Sequence, residues 1–379
     1  MPPRVPFTQT FLSGKELEYV TQVIEQGSLA SDGPFSQQSA DWLKQHCGVA
    51  GVFITSSCTA ALEMAAMLCE LGPGDEVIMP SFTFVSTASA VTRTGAQPVF
   101  VDIDPQTLNI DPACIAEQVN SRTRAIIPVH YAGVGCPMEA IGELAREHGL
   151  VVIEDAAQGV GAAYAGTPLG AHGQLATFSF HHTKNIVCGE GGALCVNDES
   201  MLERARILRD KGTNRAAFLA GQVDKYSWVD EGSSYLPSEL ACAFLLAQLE
   251  AVGQINEARK QAYQFYQQQL EGLEERGHLV RPHVPAECQT NHHLYHLLLA
   301  DREIRDQLLA ALNENGIHAV FHYVPLHLSP MGKRLAPETP RLPVTESSSE
   351  RLLRLPLFAG ITAAQQQQVI AAVHDFFEK

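Results

Sequence analysis

Residues 176–192 read A-T-F-S-F-H-H-T-K-N-I-V-C-G-E-G-G, and they decide our interpretation of the fold. The first half alternates as a β-strand does, with Phe178 and Phe180 on one side and Ser179 on the other. The glycines that close it permit tight backbone paths. Lys184 lies between, beside aromatic rings and two histidines. Desolvation favours a neutral amine, which is a nucleophile, although a surface lysine in a loop is the alternative for this window alone.

Composition sets limits on the class of protein. The chain has 379 residues, 45% hydrophobic and 18% charged, which is typical of a globular protein of two or three domains. A net charge of −16 argues against nucleic acid or an anionic membrane surface as a partner. The nine cysteines contain no C-x-x-C pair, which argues against disulfides and zinc and fits a reducing cytoplasm. The start, M-P-P-R-V-P-F-T, predicts no signal peptide, and no apolar run is long enough to span a bilayer.

Strand and helix patterns alternate along the first 210 residues, which predicts an α/β domain with a largely parallel sheet. Binding sites in such sheets lie at the carboxyl ends of the strands. Four candidates fall at such ends: Ser57, Phe84, Asp155 and Lys184. Their coincidence indicates one shared cleft.

The C-terminal part follows a helix that is predicted to start at Ser238 and to bridge to a second domain. We place the boundary between residues 1–255 and residues 256–379. A strand is predicted from His293, and residues 337–349, rich in Pro, Ser, Thr and Glu, are expected to form an exposed loop.

Residues 56–62, S-S-C-T-A-A-L, join a short apolar strand to an alanine-rich helix. A helix start presents unpaired N–H groups and the positive end of the dipole, which suits a phosphate. The hydroxyls of Ser57 and Thr59 and the backbone of Cys58 add donors. Simple N-capping is the alternative, because serine and threonine are favoured there in any case.

A lysine, a buried aspartate, an aromatic ring and a phosphate-binding helix start together fit one common cofactor, pyridoxal 5′-phosphate (PLP). Lys184 would form a Schiff base with its aldehyde and later move protons as general base and acid. Asp155 would pair with the pyridine nitrogen. Gln158 would hydrogen-bond the ring hydroxyl, and Phe84 would stack on the ring. The phosphate candidates are Ser57, Cys58, Thr59 and Ser179.

The motifs S-C-T-A-A-L, P-S-F-T-F, E-D-A-A-Q and F-S-F-H-H-T-K-N, in this order, resemble those of the DegT/DnrJ/EryC1/StrS sugar aminotransferases. The resemblance spans residues 6–375. It implies the type I aspartate aminotransferase fold, with a mostly parallel seven-stranded sheet in a large domain and a smaller C-terminal α+β domain. It also implies PLP, L-glutamate as amino donor, a nucleotide-linked 4-keto-6-deoxyhexose as acceptor, and a homodimer whose partner completes each site.

Further stretches, among them P-V-H-Y-A-G-V, K-G-T-N-R, G-Q-V-D-K-Y-S-W and F-H-Y-V-P-L-H, are similar to a subgroup that uses a dTDP-linked keto-sugar. The resemblance places the segment around residue 322 near the sugar nucleotide, whereas packing at a domain edge is the alternative. Basic residues near 211–226 can contact a diphosphate or form a solvated loop. The substrate candidates are Lys211, Arg215, Lys225, Tyr226, His322, Tyr323 and His327.

One departure from the family concerns the segment before the long helix. Many members carry G-x-N-x-R-M there, with the asparagine reaching the partner's phosphate. Residues 232–237 instead read G-S-S-Y-L-P, so that Ser234 stands where asparagine would be and Leu236 replaces arginine. The same G-S-S-Y-L occurs in the subgroup, and we assign Ser234 to the cofactor site.

Two other classes of function compete with transamination. Sugar dehydratases related to this family replace the lysine by histidine, whereas Lys184 is present here. A non-catalytic sugar-binding relative has no need of Asp155, Gln158 and Lys184 together. A metal cluster is a further reading of three nearby histidines, but a strand would point two of them in opposite directions, so we expect no metal site. These histidines are His292, His293 and His296.

Overall fold

The computed structural model describes residues 5–378, so the first four residues of the N-terminal segment discussed above lie outside it. The α-helices are α1 (Glu16–Gln26), α2 (Pro34–Cys47), α3 (Cys58–Leu68), α4 (Val85–Arg93), α5 (Pro112–Gln118), α6 (Met138–His148), α7 (Leu202–Arg209), α8 (Arg215–Leu219), α9 (Glu239–Glu250), α10 (Val252–Glu275), α11 (Arg302–Glu314), α12 (Pro330–Leu335), α13 (Pro343–Arg351) and α14 (Ala363–Phe377). The strands are β1 (Gly51–Thr55), β2 (Glu76–Pro80), β3 (Gln97–Val101), β4 (Thr123–Ile126), β5 (Val151–Asp155), β6 (Ala163–Tyr164), β7 (Thr167–Pro168), β8 (Leu175–Ser179), β9 (Gly192–Val196), β10 (Leu279–Val280), β11 (Cys288–Gln289), β12 (Tyr295–Leu299), β13 (Val320–Phe321) and β14 (Leu352–Leu355). Within residues 5–378 no helix is long and apolar enough to cross a lipid bilayer.

The large sheet has seven strands in the order β1-β9-β8-β5-β4-β2-β3. Strands β8, β5, β4, β2 and β3 run parallel, while β9 is antiparallel to both β1 and β8. Every residue of β2, β8 and β9 is buried, because helices cover both faces. The predicted α/β fold with a mostly parallel seven-stranded sheet is confirmed.

The smaller sheet is antiparallel, in the order β10-β12-β14-β13. Its core includes Tyr266 of α10 together with residues of α11 and α14, whereas Ile255 at the start of α10 packs in the core of the large sheet. Helix α10 therefore joins the two cores. We propose that the boundary between the two domains lies at its first turn, near residue 255.

Several local predictions need correction. The helix predicted from Ser238 is two helices, α9 and α10, which meet at Ala251. The strand predicted from His293 begins only at Tyr295, because the preceding His292 has a left-handed backbone with φ of 53°.

The segment 337–349 is not an exposed loop, because residues from Pro343 onward form α13 and Thr345 is fully buried. The cause is a contact from far along the chain. The Asp102 carboxylate, just after β3, accepts hydrogen bonds from the Val344 N–H at 3.0 Å and from the Thr345 N–H and hydroxyl at 2.8 and 2.7 Å. These are orphan donors at a helix start, and the carboxylate also suits the dipole. A polar composition does not reveal such a cap.

Candidate functional site

A cavity of about 460 Å³ opens at the carboxyl ends of the central strands, within the range usual for cofactor and substrate sites. Its walls come from the large sheet and from the segment that carries β13 and β14. Ten of the predicted site residues line it: Ser57, Cys58, Thr59, Phe84, Asp155, Gln158, Ser179, Lys184, His322 and Tyr323.

Lys184 lies in the turn that follows β8, where its N–H donates to the His181 carbonyl at 2.9 Å. Within the described chain, its Nζ makes no hydrogen bond or ion pair with a protein group. Burial lowers the pKa of Lys184 and Arg354 acts in the same direction, while Cys58 and Asp155 oppose them. The structure thus favours a neutral amine, the form that attacks an aldehyde.

Asp155 ends β5 and is only 5% exposed. Its Oδ2 accepts from the Thr87 hydroxyl at 2.7 Å and its Oδ1 from the Ala157 N–H at 3.2 Å. The Thr87 oxygen in turn lies 2.9 Å from the Thr83 hydroxyl. The carboxylate is therefore fixed by neutral donors and has no cationic partner in the described residues. It suits a protonated ring nitrogen, which would supply the missing positive charge.

Gln158 lies one turn beyond Asp155 and is held at both ends of its amide. Its Oε1 accepts from the Ala132 N–H at 2.7 Å, and its Nε2 donates to the Tyr323 hydroxyl at 3.1 Å. These bonds fix the orientation of the amide and leave one N–H free. That N–H can donate to a ligand oxygen in the cavity.

The start of α3 forms the other end of the cavity. The Ser57 hydroxyl caps the helix by accepting from the Ala60 N–H at 3.0 Å, so N-capping is present. The N–H groups of Cys58 and Thr59 have no acceptor in the described part of the chain, which leaves them available to a phosphate. A Cβ at Gly192 would collide with this backbone, and so β9 needs glycine there.

Hydroxyl groups surround this helix start. The Thr59 hydroxyl lies 2.7 Å from that of Ser86 in the first turn of α4. Ser179, at the end of β8, is buried and also lines the cavity. Phe84 occupies the position just before α4 and is 59% exposed, so a ring bound against it would cover an open apolar face. Together these residues fit a phosphate at one end of an aromatic ring and a protonated nitrogen at the other.

The remaining predicted residues lie away from the cavity of their own chain. Lys211 and Arg215 pair with Asp210 at 2.7 and 3.7 Å on the segment 211–235, most of which is exposed. Lys225, Tyr226 and Ser234 are exposed on the same segment. His327 is buried instead, with its Nδ1 2.7 Å from the Ser81 hydroxyl, and so it packs at the edge of the large domain.

Several residues of the site escaped the sequence analysis. Ser86 lines the cavity, and the buried Thr87 donates to Asp155 from behind it. Both belong to the first turn of α4, where a search for hydroxyls at helix starts would have found them. His293 lines the cavity and its Nδ1 lies 2.9 Å from the Asn185 amide oxygen. Arg354 reaches the cavity from β14, and no local sequence motif predicts this position.

Glu154, the neighbour of Asp155, points to the opposite face of the sheet and orders a loop. Its oxygens accept from the N–H groups of Gly170, His172 and Gly173 at 2.7 to 2.9 Å and from His130 Nε2 at 2.9 Å. Burial acts to raise the pKa of Glu154, but these hydrogen bonds outweigh it and hold the pKa below its usual value.

Glu154→Gln is therefore expected to lower the free energy of unfolding by about 3 kcal/mol at pH 7, since an amide N–H₂ would face backbone donors. A depressed carboxyl pKa stabilises the fold above the unfolded value near 4.3 and loses that contribution as pH falls through the folded pKa. The difference between wild type and variant in urea unfolding should thus shrink toward acid pH. Glu147→Gln, on an exposed position of α6, is the control. Equal stability of the Glu154 variant and wild type at pH 7 would contradict this role.

Comparison with known proteins agrees with this geometry. The profile of the DegT/DnrJ/EryC1/StrS aminotransferase family matches residues 11–374. GDP-perosamine synthase of Caulobacter vibrioides is 37% identical over 98% of each chain. A pleiotropic regulatory protein of Geobacillus stearothermophilus is 39% identical over 84% of this chain and 82% of its own length. Among solved structures, DesV of S. venezuelae, in complex with a ketimine intermediate, is 32% identical with a TM-score of 0.91 and full coverage of both chains.

Proposed function

Because the chain belongs to the DegT/DnrJ/EryC1/StrS aminotransferase family and is a PLP-dependent sugar-nucleotide aminotransferase, we propose that L-glutamate is its amino donor. The proposed acceptor is dTDP-4-dehydro-6-deoxy-D-glucose, aminated at C4 to dTDP-4-amino-4,6-dideoxy-D-galactose. Such a product would serve the synthesis of a surface polysaccharide such as enterobacterial common antigen.

One observation carries the amino-transfer chemistry of this proposal. In one cavity, a Lys184 amine without a hydrogen-bond partner in the described chain lies with a buried Asp155 carboxylate that lacks a cationic partner. Bound PLP supplies an electron sink for the carbon that loses its proton. Lys184 holds the cofactor and then moves a proton at its Nζ. Asp155 keeps the ring nitrogen charged, while Gln158 and the N–H groups at the start of α3 orient the ring and the phosphate.

The choice of nucleotide rests on the subgroup stretches named above, such as G-Q-V-D-K-Y-S-W and F-H-Y-V-P-L-H. A second candidate acceptor is a GDP-linked keto-sugar, which is favoured by the 37% identity to a GDP-perosamine synthase. Both candidates require the same amino transfer, and they differ in the nucleotide and in the face of the sugar presented to the cofactor.

Incubation of the holoenzyme with L-glutamate and each sugar nucleotide in parallel tests the proposal. We expect 2-oxoglutarate to form with dTDP-4-dehydro-6-deoxy-D-glucose, and NMR of the product to show an axial amine at C4. Faster turnover of the GDP-linked sugar would favour the second candidate. Formation of 2-oxoglutarate with neither sugar would contradict both.

We further propose a homodimer in which each active site is completed by the partner subunit. The exposed segment 211–235 supports this proposal, since it displays apolar side chains that a solitary chain would leave in water. Trp228 is 80% and Leu219 is 67% exposed there. Ser234 lies on the same segment, outside its own cavity, where it is free to reach the phosphate site of a second copy.

Mixed dimers test this arrangement. Lys184→Ala disables the site of its own subunit, and Ser234→Asp should disable the partner's site by setting a carboxylate against the phosphate. Neither variant alone should be active. After unfolding and refolding of an equal mixture, random pairing should restore about a quarter of wild-type activity, because half of the dimers then hold one intact site of two. No recovery in a mixture that refolds to dimers would contradict a shared site.

A further inference from the structure

His293, two residues before β12, has an imidazole nitrogen without a protein partner in the cavity wall. The residue is 5% exposed and lines the cavity. Its Nδ1 lies 2.9 Å from the side-chain oxygen of Asn185. Within residues 5–378 its Nε2 makes no hydrogen bond. This nitrogen is therefore the polar part of the ring that remains for a group in the cavity.

The contacts of Asn185 decide which nitrogen of His293 carries the hydrogen. The Asn185 Nδ2 donates to the Asn291 backbone carbonyl at 2.9 Å and to the Asn256 side-chain oxygen at 3.3 Å. A backbone carbonyl only accepts, so the Asn185 amide must turn its oxygen toward His293. That oxygen also only accepts, and Nδ1 of His293 is therefore the protonated nitrogen. Nε2 is left as a bare hydrogen-bond acceptor.

The backbone around His293 is fixed as well as its ring. The buried Arg259 donates to the carbonyl oxygens of His292 and His293, with a distance of 3.0 Å to the former. The Asn291 Nδ2 donates to the Gln158 carbonyl at 2.7 Å. The position of the free acceptor is thus set by the protein itself.

The other histidines of the cavity wall have their nitrogens engaged. Both nitrogens of His322 lie within hydrogen-bond distance of protein groups, at 3.1 and 3.3 Å. His181 contacts the Thr183 hydroxyl at 2.8 Å with Nδ1 and faces the Glu190 carboxylate at 3.6 Å with Nε2. Of the cavity-lining histidines that the structure describes, His293 alone offers a buried acceptor without a partner.

Lys184 is the group in the cavity that needs such an acceptor. Burial lowers the pKa of His293 and the charge of Lys184 lowers it further, so the two side chains lie close together. A lysine that takes up a proton during amino transfer is an ammonium with three N–H donors for part of the cycle. The described chain gives its Nζ no hydrogen bond, and a buried ammonium without an acceptor is costly.

The surroundings keep His293 neutral, so that it can accept a hydrogen bond without taking the proton. Besides burial, the groups that lower its pKa are Lys184, Arg259, Arg354 and His322. Burial lowers the pKa of Lys184 too, and the groups that act on it are Cys58, Asp155 and Arg354. A proton shared by this pair therefore stays on the lysine nitrogen, where amino transfer uses it.

We propose that His293 is a positioning residue whose Nε2 accepts a hydrogen bond from the Lys184 ammonium whenever the lysine is free of the cofactor. The bond stabilises the protonated lysine and holds its Nζ in place between the uptake of a proton and its return. The assignment draws on the PLP-dependent amino transfer of the family, and it requires neither of the two candidate acceptor sugars.

Competitive labelling of the enzyme loaded with pyridoxamine 5′-phosphate, which leaves Lys184 free, tests this assignment. The pH dependence of acetylation by trace acetic anhydride, followed at the Lys184 peptide by mass spectrometry, gives the pKa of the amine. His293→Leu should lower this pKa by about one pH unit, because a hydrogen bond to the charged form is lost. His293→Gln should leave it near the wild-type value, since glutamine can donate to Asn185 and turn its oxygen to the cavity.

Two controls accompany the labelling. Lys44, exposed on α2, is the internal reference, and its pKa should be the same in every variant. His148→Leu, on an exposed position of α6, is the matched control and should not change the pKa of Lys184. An unchanged Lys184 pKa in a folded His293→Leu protein, or an equal fall in His293→Leu and His293→Gln, would overturn the assignment.

The half-reaction with L-glutamate separates this role from substrate binding. In His293→Leu the maximal rate should fall about tenfold, while the KM for L-glutamate stays within about twofold, because the lost bond serves Lys184 and not the substrate. A rise in KM at an unchanged rate would overturn the assignment. Lack of reaction of the wild type with L-glutamate would contradict the proposed function, whereas the labelling, which uses no amino donor, still decides the role of His293.

Nitrogen-15 NMR of histidine-labelled wild type reads the tautomer without any substitution at His293 in the protein measured. The His293 signals, identified by their loss in His293→Gln, should show a protonated Nδ1 and a bare Nε2 across about pH 6 to 9. Replacing PLP by pyridoxamine 5′-phosphate should shift the Nε2 signal, and the shift should be lost in Lys184→Ala. A protonated Nε2, or an Nε2 signal that is the same with both cofactor forms, would overturn the assignment even if His293→Leu fails to fold.

Discussion

Lys184→Ala is expected to abolish amino transfer, with kcat reduced at least about 10³-fold. The alanine variant has no amine to hold the cofactor covalently and no base at the carbon that must lose its proton. The other cofactor-site groups stay intact, namely Asp155, Gln158 and the start of α3. The variant should therefore still bind PLP reversibly. Absorbance spectra before and after dialysis, together with 2-oxoglutarate formation, measure the two effects separately.

The control for this variant is Lys44→Ala on α2, which removes an exposed lysine far from the cavity. It should behave as wild type in both measurements. A Lys184→Ala protein that keeps the absorbance of a covalently held cofactor and full turnover would show that another lysine carries the chemistry.

Asp155→Asn should lower kcat about 10²-fold or more while PLP remains bound. Asparagine has nearly the same shape, and its oxygen can still accept from the Thr87 hydroxyl or the Ala157 N–H. It cannot neutralise a protonated ring nitrogen, so the cofactor would withdraw electrons less strongly. Single-turnover rates with L-glutamate report this step directly.

Thr87→Val provides a graded comparison, because it leaves the Asp155 carboxylate in place and removes one donor at 2.7 Å. Its effect on kcat should be smaller, about tenfold, corresponding to one hydrogen bond to a charged group. Wild-type rates in Asp155→Asn, or a larger loss in Thr87→Val than in Asp155→Asn, would be incompatible with the charge of Asp155 as the decisive property.

The cofactor end of the site could be predicted from the sequence because its residues follow strands of one sheet. Strand ends of a parallel sheet meet at one edge, so Ser57, Phe84, Asp155 and Lys184 could be brought together without knowing the strand order. These strand-end residues can be recognised within short stretches of sequence. The glycines that end the lysine stretch predicted tight backbone paths, but only the structure shows that a Cβ at Gly192 would collide with the start of α3.

The features that were missed depend on contacts between distant parts of the chain. Arg354 lines the cavity only because β14 carries it there from far along the chain, and within residues 5–378 no carboxylate lies within ion-pair distance of it. Helix α13 has a weakly amphipathic, polar sequence, and Asp102 at the end of β3 caps its start. His327 does not line the cavity, and its Nδ1 lies 2.7 Å from the Ser81 hydroxyl instead. Periodicity and turn chemistry do not report such pairings.

The most direct test of the account is to reduce the holoenzyme with borohydride, digest it and locate the pyridoxyl group by mass spectrometry. The account predicts one modified peptide, which contains Lys184 within H-H-T-K-N. It also predicts that prior incubation with L-glutamate prevents the labelling, because the cofactor then leaves the lysine. A pyridoxyl group on any other lysine, or none on Lys184 in active enzyme, would contradict it.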